Sequence, residues 1–264
     1  MPIGGIIVDP SAPSPLVGLG NERSVIQYNN IINSTSQFTV QGNDNDKGFL
    51  IDGMTTSSWL VPSNDTSITI TTSGTIDCVA LSPSNWRDSS ATVYIDIVTA
   101  QGQSNVYTQG SFENDAPIMA VFEPQIVTSV IIRLVSNGQL RVTGFSVGKC
   151  LRFPCGVSVG YQPGRWTTIN QVNNFRTESN AFGQNTVFQR GTEERFTIDL
   201  IEQDWMNDNW PNFLREAIGK QIWFGWNSVD YPRQVTYGNW TIPRPSYESS
   251  TFTSVSMSIN GLSV

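Results

Sequence analysis

One stretch of the chain, FTIDLIEQDWMNDNWPNFLREAIGKQIWFGWN at residues 196–227, reads in succession as strand, helix and strand, and everything around it reads as β-structure. Phe196, Ile198 and Leu200 alternate with Thr197 and Asp199, the period of a strand with one buried face. Beyond it Trp205, Met206, Trp210, Phe213, Leu214, Ala217 and Ile218 recur so that most share one broad helical face. The pattern predicts an amphipathic helix near residues 204–218 that another layer must cover. Asp208 or Asn209 can cap its first turn, where Pro211 is tolerated because its missing N–H would have no helical partner, and an earlier turn can begin near Gln203. Gly219 ends the helix, and Lys220 stands near the negative end of its dipole. The aromatic and branched run QIWFGW then favours a strand.

From Val25 onward, short apolar segments (VIQYNNII, SQFTV, FLIDG) alternate with turns rich in Asn, Asp, Ser and Gly, such as QGNDNDKG. Further segments of this kind stand at residues 67–71, 75–81, 92–99, 118–122, 129–136 and 139–147. Eight or so such strands predict two antiparallel sheets packed face to face, with connections that suit a jelly roll. The stretch GKCLRFPCG lacks a strand period and marks a junction. After it, strands at 157–161, 166–172, 175–178, 187–189, 195–201, 222–226, 234–242 and 252–259, with the one principal helix, predict a β-rich α+β domain. The chain is therefore expected to be mainly β, with an extended arm over residues 1–24, a sandwich over 25–150 and the second domain over 151–264. The arm, with its prolines and glycines, reads either as a strand or clamp given to another subunit or as a disordered terminus.

Charge and composition narrow the function. A net charge of −7 without clustered Lys and Arg argues against a nucleic-acid partner. No apolar run is long enough for a membrane-spanning helix, and MPIGGIIVDPSAPSP lacks the features of a signal peptide, so a product kept in the cytosol is expected. Residues 1–150 carry 6 basic and 12 acidic side chains, whereas residues 151–264 carry 9 and 10. The acidic half suits exposure and the nearly neutral half suits contact between copies, since net like charge repels copies brought together. There is no histidine, which excludes histidine-dependent triads and zinc proteases. Cys78, Cys150 and Cys155 are too few for a disulfide framework or a zinc site, and Cys150 and Cys155 either pair in an oxidising medium or remain thiols. No phosphate-binding glycine loop or ligand cluster occurs, so no cofactor is expected.

Three segments carry a family resemblance: GFLIDGMTTSSWLVPSN from Gly48, IDCVALSPSNW from Ile76 and SVIIRLVSNGQLRVTGFSVG from Ser129. Their order resembles a discoidin-like, galactose-binding-like domain over roughly residues 25–150, which implies a β-sandwich whose variable loops can hold a sugar. The segment NAFGQNTVFQRGTEERFTIDLIEQDWMNDNWPNFLREAIGKQIWFGWNS resembles modules that form or attach to the ring at the distal end of the tail tube in long-tailed bacteriophages. The pairing resembles distal tail or baseplate proteins. It implies a virion structural protein, assembled in the host cytoplasm, with partners among its own copies (a ring of three or six), other tail proteins and a host-surface glycan.

Candidate residues follow from these readings. Trp205, Trp210 and Phe213 are expected at an interface between subunits, among the tryptophans that crowd residues 205–240. Trp59 and Trp86 either stack on a sugar face or belong to the core. Asp44, Asp46 and Asp52 either offer oxygen ligands to calcium or form a solvated acidic turn. Glu193, Glu194, Asp199, Glu202 and Asp204 are the carboxylates a glycosidase could use, against a reading as turn and cap residues. No enzymatic activity is expected. The leading expectation is the tail protein, ahead of a stand-alone carbohydrate-binding protein and of a carbohydrate-active enzyme.

Overall fold

The computed structural model describes residues 24–42, 44–161, 169–178, 181–190, 193–227, 234–241, 243–247 and 249–261, with the backbone alone over 169–178, 181–190 and at Glu193. Apart from Ser24, the expected arm lies outside the described residues. The first part of the chain forms β1 (Val25–Gln27), β2 (Phe38–Val40), β3 (Trp59–Leu60), β4 (Asp65–Thr71), β5 (Thr75–Leu81), β6 (Thr92–Thr99), β7 (Gly102–Gly110), β8 (Ile118–Ile126), β9 (Ser129–Val135), β10 (Arg141–Val142) and β11 (Phe145–Gly148). The second part forms β12 (Cys150–Arg152), β13 (Ile169–Glu178), β14 (Ala181–Arg190), β15 (Glu193–Glu202), α1 (Gln203–Ala217), β16 (Ile222–Gly225), β17 (Val235–Trp240), β18 (Ser246–Tyr247) and β19 (Phe252–Gly261).

The sandwich is antiparallel, as expected, with a five-stranded sheet in the order β2-β4-β9-β6-β7, a three-stranded sheet β11-β5-β8 and the short pair β10-β3. Alternation decides which side chains point inward. Val93, Ile95 and Ile97 of β6 and Val130, Ile132 and Leu134 of β9 are fully buried, while Arg133 of β9 turns outward and grips Asp65 of β4 through Nε and a terminal nitrogen at 2.8 and 2.5 Å. Strand β7 escapes a reading for apolar alternation. Its sequence GQSNVYTQG is polar because it is an edge strand, bonded only to β6.

Strands β5 and β8 are buried on both faces, which is why IDCVAL and IMAVF run almost without polar interruption. Ile76, Leu81, Ile118 and Phe122 face the sandwich core. Cys78, Ala80, Met119 and Val121 face the other way, against Val25, Trp223, Val235 and Tyr237. Among the described residues the three larger sheets and the helix are thus stacked in layers.

The third layer runs in the order β12-β1-β16-β17-β19-β15, with β18 paired on β19. Strand β1, expected in the sandwich, lies here between β12 and β16, with Val25 opposite both Arg152 and Gly225. The sandwich therefore leaves this sheet from β1 and returns to it at β12, its antiparallel neighbour. Gly148 sits where the returning chain crosses Asn29, since a Cβ there would lie 1.9 Å from the Asn29 carbonyl oxygen. On the far face, Ile26, Phe196, Phe224 and Ile259 meet the helix residues Met206, Trp210, Phe213 and Ala217.

The helix departs from expectation at its start. It is continuous from Gln203, so Pro211 lies inside it instead of in its first turn, and neither Asp208 nor Asn209 is its cap. Glu202 occupies the cap position, and the amide nitrogens of Asn209 and Asn212 donate to the Trp205 and Asp208 carbonyls at 2.8 and 3.2 Å. Gly219 closes the helix in a left-handed conformation at φ +78°, as its position predicts. In β15 the alternation breaks after Ile198: a bulge puts Leu200 at φ +57° and 63% exposed, and Ile201 takes the buried place. The expected strand at 157–161 does not form, and the short segments expected over 166–189 are replaced, in their described part, by the two ten-residue strands β13 and β14.

Candidate functional site

Trp59 and Trp86 belong to the core of the sandwich. Both are fully buried, Trp86 stacks on Phe112 with centroids 5.8 Å apart, and its indole nitrogen donates to the Ala116 carbonyl at 3.1 Å. A ring without accessible surface has no face to offer a sugar, so of the two readings for this pair the structure takes the core and not the stacking role. The sandwich aromatic with more than a third of its surface open, among the described residues, is Phe49, in the turn Lys47–Leu50. Met54, in the loop that follows, and Leu60 of β3 are also exposed.

The helix residues expected at a subunit interface are used inside the chain. Phe213 is fully buried and Trp210 nearly so, and their rings lie 5.0 Å apart. Trp205 is half-buried, its ring 5.3 Å from that of Phe153. The aromatic load of this half also joins its layers: the Trp223 nitrogen donates to the Leu81 carbonyl at 3.2 Å and the Tyr237 hydroxyl to the Gly53 carbonyl at 3.2 Å.

The carboxylates have structural partners. Asp44 pairs with Lys47 at 2.9 Å, and Asp52 accepts from the Met54 amide and the Ser57 hydroxyl. Among the described residues no three His, Cys, Asp or Glu side chains converge as a metal site would require. Glu194 is buried and accepts from the Tyr161 and Thr236 hydroxyls, and Asp199 accepts from Ser158. Glu202 and Asp204 are exposed at the start of the helix, where negative charge faces the positive end of its dipole. The side chain of Glu193 lies outside the described residues.

A cleft of about 330 Å³ opens where the sandwich, β12 and the helix meet. Tyr28, Asp77, Lys149, Arg152, Trp205 and Asn209 line it, with Cys150 at its wall. Arg152 reaches Asp77 at 3.5 Å, with side chains 12% and 9% exposed, and also donates to the Phe122 carbonyl at 2.5 Å. Burial pushes the Asp77 carboxyl up, and the Arg152 charge, together with the bond from the Cys150 amide, pulls it partly back. Burial, followed by the charges of Glu216 and Asp77, pushes the Tyr28 hydroxyl up to about 12. Sequence reading missed this cleft because its residues come from four separate stretches. The only local signal was the pair of charges Lys149 and Arg152 inside a segment without strand period.

A second feature is the hairpin of β13 and β14. Ten residue pairs hold it together, from Ile169 opposite Arg190 to Glu178 opposite Ala181. Among the described residues, neither strand pairs with a third.

No family model matches the chain, and no curated protein matches it. Several solved structures are similar to part of it. A selenomethionine-labelled mutant of chitosan-binding module 1, from a chitosanase/glucanase of Paenibacillus sp. IK-5, is 17% identical, with 46% of this chain and 98% of that chain covered and a TM-score of 0.37. The family 32 carbohydrate-binding module of Clostridium perfringens NanJ, in complex with galactose, is 14% identical over 42% of this chain and 93% of that one, with a TM-score of 0.35. Another module from C. perfringens, in complex with GalNAc-β-1,3-galactose, is 16% identical over 42% and 93%, also with a TM-score of 0.35.

Proposed function

We propose that this chain is a structural subunit of a bacteriophage tail tip, a distal tail or baseplate ring component that assembles with its own copies and carries the sandwich as a displayed, carbohydrate-binding-like module. The observation that carries this reading is the hairpin β13–β14. A two-stranded ribbon is marginal by itself in water, and its outer edges present rows of main-chain donors and acceptors to any strand of matching length. Ten residues extend for roughly 33 Å at the rise of a β-strand. A second copy supplies the same ribbon, and one such contact repeated around an axis closes into a ring. The segment that resembles tail-ring modules begins at Asn180 and contains all of β14. The insertion of the sandwich between neighbouring strands β1 and β12 supports the same division of labour, since it anchors the module by both ends.

Light scattering across a concentration series, with electron micrographs of the same sample, tests the proposal. A closed ring of three or six copies is expected, and replacing residues 169–190 by a short Gly/Ser linker should leave a folded monomer. A ring that survives this replacement, or a chain that is monomeric throughout, overturns the reading.

A second reading, a stand-alone carbohydrate-binding protein, is favoured by Phe49. The residue is 38% exposed and offers the apolar surface that the buried tryptophans do not. This reading expects saturable glycan binding by a monomer, weakened at least tenfold by Phe49→Ala in a folded protein. Unchanged binding by that variant removes Phe49 from consideration.

A further inference from the structure

Cys78 and Cys150 meet at the seam between the sandwich and the sheet beneath it. The register of β5 on β11 sets Cys78 opposite Gly148, two residues before Cys150. The Cys150 amide donates to Asp77 Oδ1 at 2.8 Å, which holds the start of β12 against β5. Cys150 packs on the cluster that contains Cys78. Cys155, the partner that sequence spacing offered to Cys150, is elsewhere, with its thiol donating to the Asp199 carbonyl at 3.0 Å.

The two thiols differ in access. Cys78 is fully buried, whereas Cys150 lines the cleft beside Lys149 and Arg152. Arg152 Nε donates to the Cys150 sulfur at 3.5 Å. We infer that Cys78 and Cys150 form an oxidisable pair, a modification site at which a small disulfide admitted by the cleft converts two thiols into one covalent bond between sandwich and sheet.

The chemistry is thiol–disulfide exchange. The Cys150 thiolate attacks one sulfur of the small disulfide, leaving a mixed disulfide and releasing one thiolate. Cys78 gives up its proton and attacks the Cys150 sulfur, which expels the second small thiolate. The protons lost by the two cysteines end on the two released thiols, so two protein thiols are oxidised and one disulfide is reduced. Burial pushes the Cys78 thiol up, which makes Cys150 the first to react and Cys78 the resolving group. The bond would tie strands of two different sheets, so that oxidation adds a covalent link to layers otherwise held by packing, hydrogen bonds and the Asp77–Arg152 pair. This inference does not depend on the assembly reading.

The test uses the full native chain with oxidised glutathione, followed by alkylation of remaining thiols and a non-reducing peptide mass map. The expected result is one cross-link between the Cys78 and Cys150 peptides, lighter by two hydrogens, with Cys155 alkylated. Cys78→Ser should stop at a single glutathione on Cys150. Cys155→Ser, which leaves the seam untouched, should form the cross-link at the wild-type rate and keeps the test decisive if the buried Cys78 variant does not fold. A cross-link that includes Cys155, or wild-type protein that halts at the mixed disulfide, overturns the inference.

Discussion

Replacing Arg152 by Met removes one half of an ion pair that is nearly closed to solvent. The side chain exposures of 12% for Arg152 and 9% for Asp77 mean that water from the cleft replaces the guanidinium only in part. The Phe122 carbonyl loses a donor at 2.5 Å in the same step, while Asp77 keeps the Cys150 amide at 2.8 Å. Breaking a buried pair by removing one partner costs about 3–5 kcal/mol, because the remaining charge is left uncompensated. The lower end applies here, since Asp77 retains one amide donor. The cost must depend on pH. Burial already raises the folded Asp77 carboxyl above its ordinary value, and loss of Arg152 raises it further. Between the ordinary carboxylate value and the raised folded one, the folded state binds more protons than the unfolded state, so stability falls as pH rises through that window. The variant should therefore be about 3 kcal/mol less stable than the wild type at neutral pH. The deficit should shrink as the solution is acidified toward the ordinary carboxylate range. Urea titrations of both proteins over a pH series measure this. Asp77→Asn combined with Arg152→Met should cost less than the sum of the single changes. A deficit under about 1 kcal/mol, or one that does not change with pH, would refute the account of the pair as a buried, coupled charge.

Other expectations are simpler to read. Trp59→Ala empties a fully buried site and should cost about 3–5 kcal/mol, seen as a lower unfolding midpoint; a folded, equally stable variant that merely loses sugar binding would restore the ligand-stacking role. Pro211→Ala should stabilise the protein by about 1–3 kcal/mol in the same titration, because an exposed proline inside Gln203–Ala217 withholds one helical hydrogen bond and contributes no packing. A destabilised Pro211→Ala protein would show that the ring shapes the helix in a way its backbone bonds do not reveal.

Local pattern made a good part of the fold legible. The inward sets of β4, β6 and β9 follow from strict alternation, which persists because each strand has one face on the core and one toward water. Met206, Trp210, Phe213 and Ala217 follow from helical spacing, and the stop at Gly219 follows from its backbone freedom. Leu200 was misplaced because a bulge is a property of two paired strands, and its own residues carry no mark of it. The functional residues were less legible. Tryptophan is as well suited to a core as to a sugar platform or a subunit interface, and only burial assigns Trp59, Trp86 and Trp210 to the core.

The order of polar and apolar residues by itself determined that this chain would be mainly β with one amphipathic helix. The unbroken apolar runs IDCVAL, IMAVF and IWFG marked strands, because hydrophobic continuity is a local quantity, but that both of their faces are covered was seen only in the fold. What covers those runs was decided by the tertiary structure. Val25 finds Gly225 across the whole length of the sandwich, Cys150 packs on the cluster of Cys78 and not on Cys155, and Asp77 finds Arg152. These pairings join residues far apart in the chain, and they form because the outer face of one sheet has apolar area that only the face of another can remove from water.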